Sequence, residues 1–460
     1  MEPVTKKKTI VDLEIFDLAY GGKGVAKLNG MIVLVAGGIP GDLVKAKIVK
    51  RKKSFAQAEV LEIIKESELR EKPSCSHFGF CGGCKWQNLK YQHQLHYKAK
   101  QVKDSLVHLG GFSEPNIKEI LGSENIFFYR NKMEFTFGKD ENGKLILGLH
   151  PPERYDEVFD LEKCFLQSEV SNVIVDWIRE FLKEKNLLPY DIKGHSGFLR
   201  FLAIREGKNT GEAMVNLVTH QGEFPYADEF SSSLTKEFPQ IKSVVRNINS
   251  KLANIALGEK EEILGGEKMI CEKLNDLTFE LSANSFFQTN TFQAEKLFDK
   301  VLDLTDLDGS ENVLDLYSGT GTISLFLSTR AKKVVGVESL ADSVENAKRN
   351  ALRNNIKNAE FILGEAKEVL SSLQREERYF EVVVVDPPRA GLHPDVVKYL
   401  LNLKPQKIIY VSCNPTTLAR DLSASGGFCE RYYDLDEVHP VDMFPHTFHI
   451  ETVARLTLRP

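Results

Sequence analysis

Val11, Leu13 and Ile15 alternate with Asp12 and Glu14, the period-two pattern of a strand with one buried face. The same alternation returns where Val44, Ala46 and Ile48 interleave with Lys45 and Lys47. Met31 to Val35 is a continuous apolar run and Ala58 to Ile64 closes the set, while Gly21-Gly22, Asn29-Gly30 and Gly37-Gly38 mark turns between them. About five short strands in roughly sixty residues predict a small antiparallel barrel of OB type over residues 1–64, an architecture that often binds oligonucleotides. From Leu89 to Leu109 the period lengthens to that of a helix, with Leu95, Ala99, Val102 and Leu106 on one apolar stripe and Gly110-Gly111 as its stop. His93 and His96 fall off the stripe and are expected to face solvent. Alternating segments with turn signals at Asn142-Gly143 and between Gly207 and Gly211 then predict a mixed α+β unit over residues 73–280.

Beyond residue 280 the pattern becomes strand, turn, helix, strand. Asn312 to Leu316 reads as a strand, and Tyr317-Ser318-Gly319-Thr320-Gly321-Thr322 as a glycine-rich turn into a helix around Ile323 to Ser328. Val334 to Val337 is the next strand and ends at Glu338, and Glu381 to Val385 ends at Asp386-Pro387-Pro388-Arg389. Ile408 to Val411 stops at Ser412-Cys413-Asn414-Pro415. These repeats predict an α/β class, with a doubly wound, Rossmann-like parallel sheet over residues 281–460. Such sheets bind ligands just beyond the carboxyl ends of their strands, where these polar turns collect.

Composition narrows the function. At 460 residues the chain is too long for one core, and two or three domains are expected. Hydrophobic residues at 42% and charged residues at 27% are those of a globular protein, and the net charge of −5 means that any nucleic-acid surface must be local. Lys45, Lys47, Lys50, Arg51, Lys52 and Lys53 form a basic run that reads as a solvated face or, on such a barrel, as a phosphate contact. Phe127-Phe128-Tyr129-Arg130-Asn131-Lys132 mixes rings with cations, which suits base stacking and phosphate contact as well as an ordinary strand entry. The charged stretch from Lys65 to Pro73 reads as a linker. Met1 to Lys8 is polar and basic, and no run suits a signal peptide or a bilayer span, so a cytoplasmic protein without membrane attachment is expected. In that reducing compartment, seven cysteines point to metal or catalysis rather than disulfides.

Three of them, Cys75, Cys81 and Cys84, lie within ten residues, and a four-thiolate site would take its fourth ligand from afar, with Cys164 the nearest candidate. Zinc and an iron–sulfur cluster both want four thiolates, but a close trio plus a distant cysteine is nearer to ferredoxin-type spacing. The glycine-rich turn followed by Glu338 about twenty residues on is similar to a dinucleotide fingerprint, in which the acid takes the ribose hydroxyls. It lacks the full pyrophosphate cradle, which suits S-adenosylmethionine, a cofactor without phosphates. Asp386-Pro387-Pro388 likewise resembles motif IV of adenosylmethionine-dependent methyltransferases. Cys413 at its strand end reads equally as a nucleophile or as a small buried apolar residue, and Glu451 alone reads as an exposed carboxylate.

Taken together, these stretches closely resemble the RNA (uracil-C5)-methyltransferase family, specifically its ribosomal RNA branch with an N-terminal TRAM domain. The resemblance rests on the barrel, CSHFGFCGGC with Cys164, Tyr129 to Lys132, Ser285 to Asn290, DLYSGTGT, VVVDPPRAG, SCNP and FPHTFHIE. It implies that Gln288, Tyr317, Glu338 and Asp386 line the S-adenosylmethionine site, that Cys413 is the nucleophile and that Glu451 is the proton-abstracting base. It further implies that Cys75, Cys81, Cys84 and Cys164 hold a [4Fe–4S] cluster; many relatives have proline after the first of these, where this chain has Ser76. The activity implied is methylation of uridine C5 in RNA, with 23S rRNA the expected substrate, tRNA the alternative, and no obligate protein partner. Decay to a non-catalytic RNA-binding or assembly factor would have erased Cys413 or Glu451 first. A radical enzyme would bind its cluster through three cysteines, and Cys164 makes four.

Overall fold

The computed structural model describes residues 9–460, so the polar, basic opening Met1–Lys8 lies outside the described residues. Strands Ile10–Leu18, Gly24–Leu28, Met31–Ala36, Leu43–Arg51 and Phe55–Lys65 close into a five-stranded barrel, ordered first, second, third, fifth, fourth. The inward residues of the alternation, among them Leu13, Ile15, Val33, Val35, Val44, Ala46 and Ile48, fill it. All neighbours pair antiparallel except the third and fifth strands, where Ile32 faces Phe55 in a parallel ladder. The basic run is less uniform than its sequence implied. Lys45 is tied to Glu62 at 2.8 Å, whereas Lys50 to Lys53 stand exposed at the strand end and the turn that follows.

The stretch read as a linker is docked instead. Arg70 grips the buried Asp42 at 2.6 Å, and the Ser67 hydroxyl donates to the Pro40 carbonyl at 2.6 Å. A charged composition concealed this because its partners lie on the barrel.

The middle of the chain forms a seven-stranded sheet ordered Lys260–Gly266, Ile241–Ile248, Ala213–Thr219, Leu199–Glu206, Lys132–Lys139, Leu145–Leu149 and Phe159–Asp160. Helices Glu169–Glu184 and Ala227–Glu237 cover it through Ile174, Ile178, Leu182, Phe230 and Leu234.

The C-terminal sheet runs Ala359–Leu363, Lys333–Glu338, Asn312–Leu316, Val382–Val385, Lys407–Ser412, Glu451–Leu458, Tyr433–Val441. The first five strands are parallel, and Glu451–Leu458 joins antiparallel to Lys407–Ser412. This is the doubly wound α/β sheet expected, with the order reversing beside Asn312–Leu316.

Helix Tyr91–His108 departs from expectation twice. Expected within the 73–280 unit, it packs instead on the C-terminal sheet against helix Pro415–Leu422, with Val102 and Leu106 in one core with Leu418, Leu422 and Tyr433. The hairpin Ile270–Leu274 and Leu277–Leu281 likewise joins the core of that sheet. The helix's apolar stripe was also misplaced: Leu95 and Ala99 are only half-buried, while Gln94, Lys98 and Gln101 are buried. Gln94 and Lys98 are inside because each bonds to the segment 442–446, described next.

Candidate active site

Four adjacent parallel strands deliver four of the predicted site residues to one edge. Lys333–Glu338 ends on Glu338, Asn312–Leu316 is followed by Tyr317, Val382–Val385 by Asp386, and Lys407–Ser412 by Cys413. Ladder pairs Leu316–Val337, Leu316–Val385 and Val385–Tyr410 fix their common level. Because the next strand is antiparallel, its beginning lies at this same edge. Ser412 pairs with Thr452, so Glu451 emerges beside Cys413 across the ladder. An acid that read as exposed is therefore 4% exposed and next to a thiol.

Local sequence explains the turns. Pro415 occupies the first turn of helix Pro415–Leu422, Asn414 caps it by accepting from the Thr416 N–H at 3.1 Å, and Cys413 is left on the bend between strand and cap. The Asn414 amide also donates to the Arg389 carbonyl at 3.1 Å, joining the Cys413 turn to the Asp386-Pro387-Pro388-Arg389 turn. Tyr317 and His446 have φ of 65° and 64°, a left-handed backbone unusual for side-chain-bearing residues. Such conformations cost about 1 kcal/mol or more and cluster at functional sites.

The electrostatics are those of several acids around one arginine. Burial, then Glu451 and Asp386, push the Cys413 thiol up to about 11 against the opposing Arg389 guanidinium. Burial pushes Asp386 up to about 7. Burial and then Asp386 hold the Glu451 carboxyl well above its ordinary range, with Arg389 again opposing. At neutral pH the free Cys413 is therefore held as the neutral thiol.

At the switch point, the Glu338 carboxylate accepts from the N–H groups of Gly319 at 3.1 Å and Leu340 at 2.9 Å. Gly321 has φ of 82°, and a Cβ there would lie 2.9 Å from that of Ala347, so the turn closes tightly only on glycine. A Cβ on Gly319 would meet nothing within 4 Å, which leaves an open face above the turn. Gln288 is half-buried on the segment that crosses this turn, where the Thr320 hydroxyl reaches the Phe286 carbonyl at 3.5 Å. The residues present fit S-adenosylmethionine: an acid at the ribose position, glycines at the turn and no basic phosphate cradle.

Phe127 to Lys132 follows the strand-entry reading, with Lys132 opening the strand Lys132–Lys139. Tyr129 is fully buried with its hydroxyl on the Pro445 carbonyl at 3.1 Å, and the Asn131 amide donates to the Gln288 carbonyl at 2.8 Å. Phe127 stacks on His446 at 4.4 Å, Arg130 is half-buried and Lys132 pairs with Glu134 at 2.7 Å. The segment ties the Pro445-His446 turn to the segment that carries Gln288.

Cys75, Cys81, Cys84 and Cys164 come together closely enough for each thiol of the trio to feel the charge of Cys164. Burial pushes Cys84 up to about 12, and its sulfur accepts from the Gln87 amide at 3.3 Å while that of Cys81 accepts from the Gly83 N–H at 3.4 Å. Among the described residues, no three or more His, Cys, Asp or Glu side chains stand at metal-binding spacing as placed.

Residues 90–459 match the profile of the family described as tRNA (Uracil-5-)-methyltransferase, and residues 5–61 match the TRAM domain. The chain belongs to the tRNA (uracil-5-)-methyltransferase family. It is 40% identical over 455 residues to an uncharacterized RNA methyltransferase of Halalkalibacterium halodurans, covering 98% of each chain. An uncharacterized RNA methyltransferase of Clostridium tetani is 39% identical over 452 residues, covering 98% of this chain and 97% of that one. Among solved structures, the Pyrococcus abyssi tRNA (uracil-54, C5)-methyltransferase in complex with S-adenosyl-L-homocysteine superposes with a TM-score of 0.79 at 34% identity. It covers 97% of this chain and 100% of that one. S-adenosylmethionine-dependent uracil-5-methyltransferase activity on RNA follows from this membership.

Several residues of this uracil-5-methyltransferase site escaped the sequence. Arg389 was legible only as the end of a proline turn, yet its charge bears on both Cys413 and Glu451. Lys98 was one cation of a helix, yet it is wholly buried on Asp442 at 2.5 Å and donates to the Phe444 carbonyl at 3.0 Å. The His446 carbonyl accepts the N–H groups of both Lys85, at 2.9 Å, and Trp86, at 3.0 Å, so the cysteine segment touches the Pro445-His446 turn, from which it is remote in sequence. No helix of the described residues is long and apolar enough to cross a membrane.

Proposed function

We propose that this chain methylates uridine C5 by covalent catalysis, with Cys413 as nucleophile and Glu451 as base. The observation that supports this best is the emergence of Glu451 beside Cys413 on neighbouring antiparallel strands, with Arg389 acting on both. Uracil C5 is a poor nucleophile. Addition of the Cys413 thiolate at C6 makes C5 an enolate carbon, which splits one hard step into easier ones. S-adenosylmethionine, held by Gln288, Tyr317, Glu338 and Asp386, supplies the electrophilic methyl group. Once C5 carries the methyl and its original proton, Glu451 takes that proton, the C5–C6 double bond re-forms and the Cys413 sulfur leaves with its electron pair. Since the free carboxyl holds a proton well above its usual range, Glu451 must lose it before this step, and Arg389 is the cation that favours the charged form.

The base must leave its stack to reach a thiol at the sheet edge. The barrel, with Lys50 to Lys53 exposed, supplies a surface for flanking phosphates. The substrate we propose is 23S rRNA, as the resemblance to the ribosomal branch implies, met in the cytoplasm. A second reading, tRNA, is favoured by the likeness to the Pyrococcus abyssi tRNA enzyme over nearly the whole chain. Mapping 5-methyluridine in both RNAs from a strain lacking the protein separates them. A mark lost from 23S rRNA alone is expected, and a mark lost only from tRNA contradicts the ribosomal assignment.

For the four cysteines we propose a [4Fe–4S] cluster. The donor set is all thiol, with Cys164 buried and the other three half-buried, and N–H groups are already aimed at two sulfurs; burial that disfavours a bare Cys84 thiolate is offset when the sulfur binds a cationic metal centre. Protein purified without oxygen is expected to be brown and to carry about four irons and four sulfides. Cys164→Ser should lower the iron content and the thermal stability together. Stoichiometric zinc without sulfide contradicts the assignment.

A further inference from the structure

The barrel is joined to the catalytic edge by one turn, Ala19-Tyr20-Gly21-Gly22. It closes through the Gly22 N–H on the Ala19 carbonyl at 3.0 Å and the Ala19 N–H on the Lys23 carbonyl at 2.9 Å. Three contacts fix its far side. The Trp86 indole N–H donates to the Gly22 carbonyl at 3.3 Å. A Cβ on Gly22, whose φ is 85°, would stand 3.2 Å from that of Lys85 and 3.5 Å from Phe448 Cδ1. The Tyr20 ring itself meets Phe448 edge-to-face at 5.5 Å. Phe448 lies three residues before Glu451, and Lys85 and Trp86 are the residues that hold the His446 carbonyl. Just behind the turn, Lys100 of the helix pairs with Asp17 at 2.7 Å.

The turn is thus wedged between the cysteine segment and the segment leading to Glu451, with its large ring packed on Phe448. Tyr20 remains 39% exposed. Its phenol ionises less readily than usual through burial, then through the neighbouring Cys413 charge, with Arg389 opposing and Glu451 adding to the effect. A half-exposed aromatic ring beside a reactive thiol offers a flat surface to a flat base, and stacking on aromatic rings is how single-stranded bases are commonly held.

We infer that Tyr20 is a positioning residue for the target pyrimidine, so that the barrel completes the wall of the catalytic pocket as well as holding RNA. This inference rests on the uridine-C5 reading and adds to it. Because misplacing reacting atoms by about 1 Å can cost on the order of 100-fold, removing the ring should act on turnover and not merely on affinity.

The test compares wild type, Tyr20→Phe and Tyr20→Ala on a short single-stranded RNA containing the target uridine. Tyr20→Ala is expected to lower kcat at saturating RNA by about 10- to 100-fold. Its RNA dissociation constant should rise by only about fivefold, the lower end for one lost base–aromatic stack, because the phosphate contacts remain. Tyr20→Phe should stay close to wild type, since it keeps the ring. Alkylation of Cys413 by iodoacetamide, followed by peptide mass in the RNA-free protein, should be several-fold faster in Tyr20→Ala because the thiol loses a cover. A wild-type kcat or a loss confined to RNA affinity in Tyr20→Ala overturns the inference, as does an unchanged alkylation rate. If wild type itself fails to methylate uridine, the uridine reading fails, and the alkylation comparison still decides whether Tyr20 covers the thiol.

Discussion

Glu451→Gln is expected to trap the protein on its RNA, whereas Cys413→Ala leaves no adduct at all. Both substitutions should stop multiple turnover, by on the order of 10⁴-fold or more, the scale of losing a nucleophile or its proton-transfer partner. What each leaves behind differs because the two residues act at different steps. Without the thiol nothing adds to C6, so Cys413→Ala should transfer no methyl and form no denaturant-resistant complex. With the thiol intact and the base removed, addition and methylation proceed once, and the product stalls on the sulfur. Glutamine is a close match in shape to a protonated Glu451, the form that burial and Asp386 favour in the free site. The fold and the neighbouring ionisations should therefore survive, and the loss can be read as chemistry.

Lys98→Met should produce the largest structural effect of any single change outside the reacting groups. The ammonium is wholly buried on Asp442 at 2.5 Å, and burial pulls its pKa down while Asp442 pushes it up. Removing one partner of a buried pair leaves an uncompensated charge, at a cost of about 3–5 kcal/mol. Asp442 would keep the Tyr91 hydroxyl at 2.9 Å and the Phe444 N–H at 3.1 Å, which places the loss toward the lower end. Because unfolding of a chain with several cores is not one transition, the measurement is the midpoint of activity loss on heating, expected to fall by several degrees. Lys98→Met with Asp442→Leu should recover part of it, since the isolated charge has gone. A single variant as heat-stable as wild type contradicts the role of this pair in holding residues 442–446.

The features legible in the sequence were those set by near neighbours in the chain. Strand alternation in Val11 to Ile15 and Val44 to Ile48 is local, so the barrel could be read directly. The strand-end turns at Tyr317, Asp386 and Cys413 were visible because glycine and proline punctuate them. What stayed hidden depends on antiparallel pairing across long separations. Nothing near Glu451 in the sequence announces that Thr452 faces Ser412, and so Glu451 alone reads as an exposed carboxylate. The same holds for helix Tyr91–His108, whose buried Gln94 and Lys98 serve groups some 350 residues away. Its polar residues imitate a solvent face, because periodicity records hydrophobicity and not hydrogen-bond partners. Tyr20 is the extreme case, a turn residue of the barrel whose ring meets Phe448, far away in the sequence.

The mass of the Cys413 peptide from Glu451→Gln, after incubation with RNA and S-adenosylmethionine and nuclease digestion, tests covalent uridine-C5 methylation most directly. The predicted result is that peptide carrying one uridine nucleotide with an added methyl group, its label derived from the methyl donor. An unmodified Cys413 peptide recovered alongside RNA that has nevertheless been methylated at uridine C5 contradicts it.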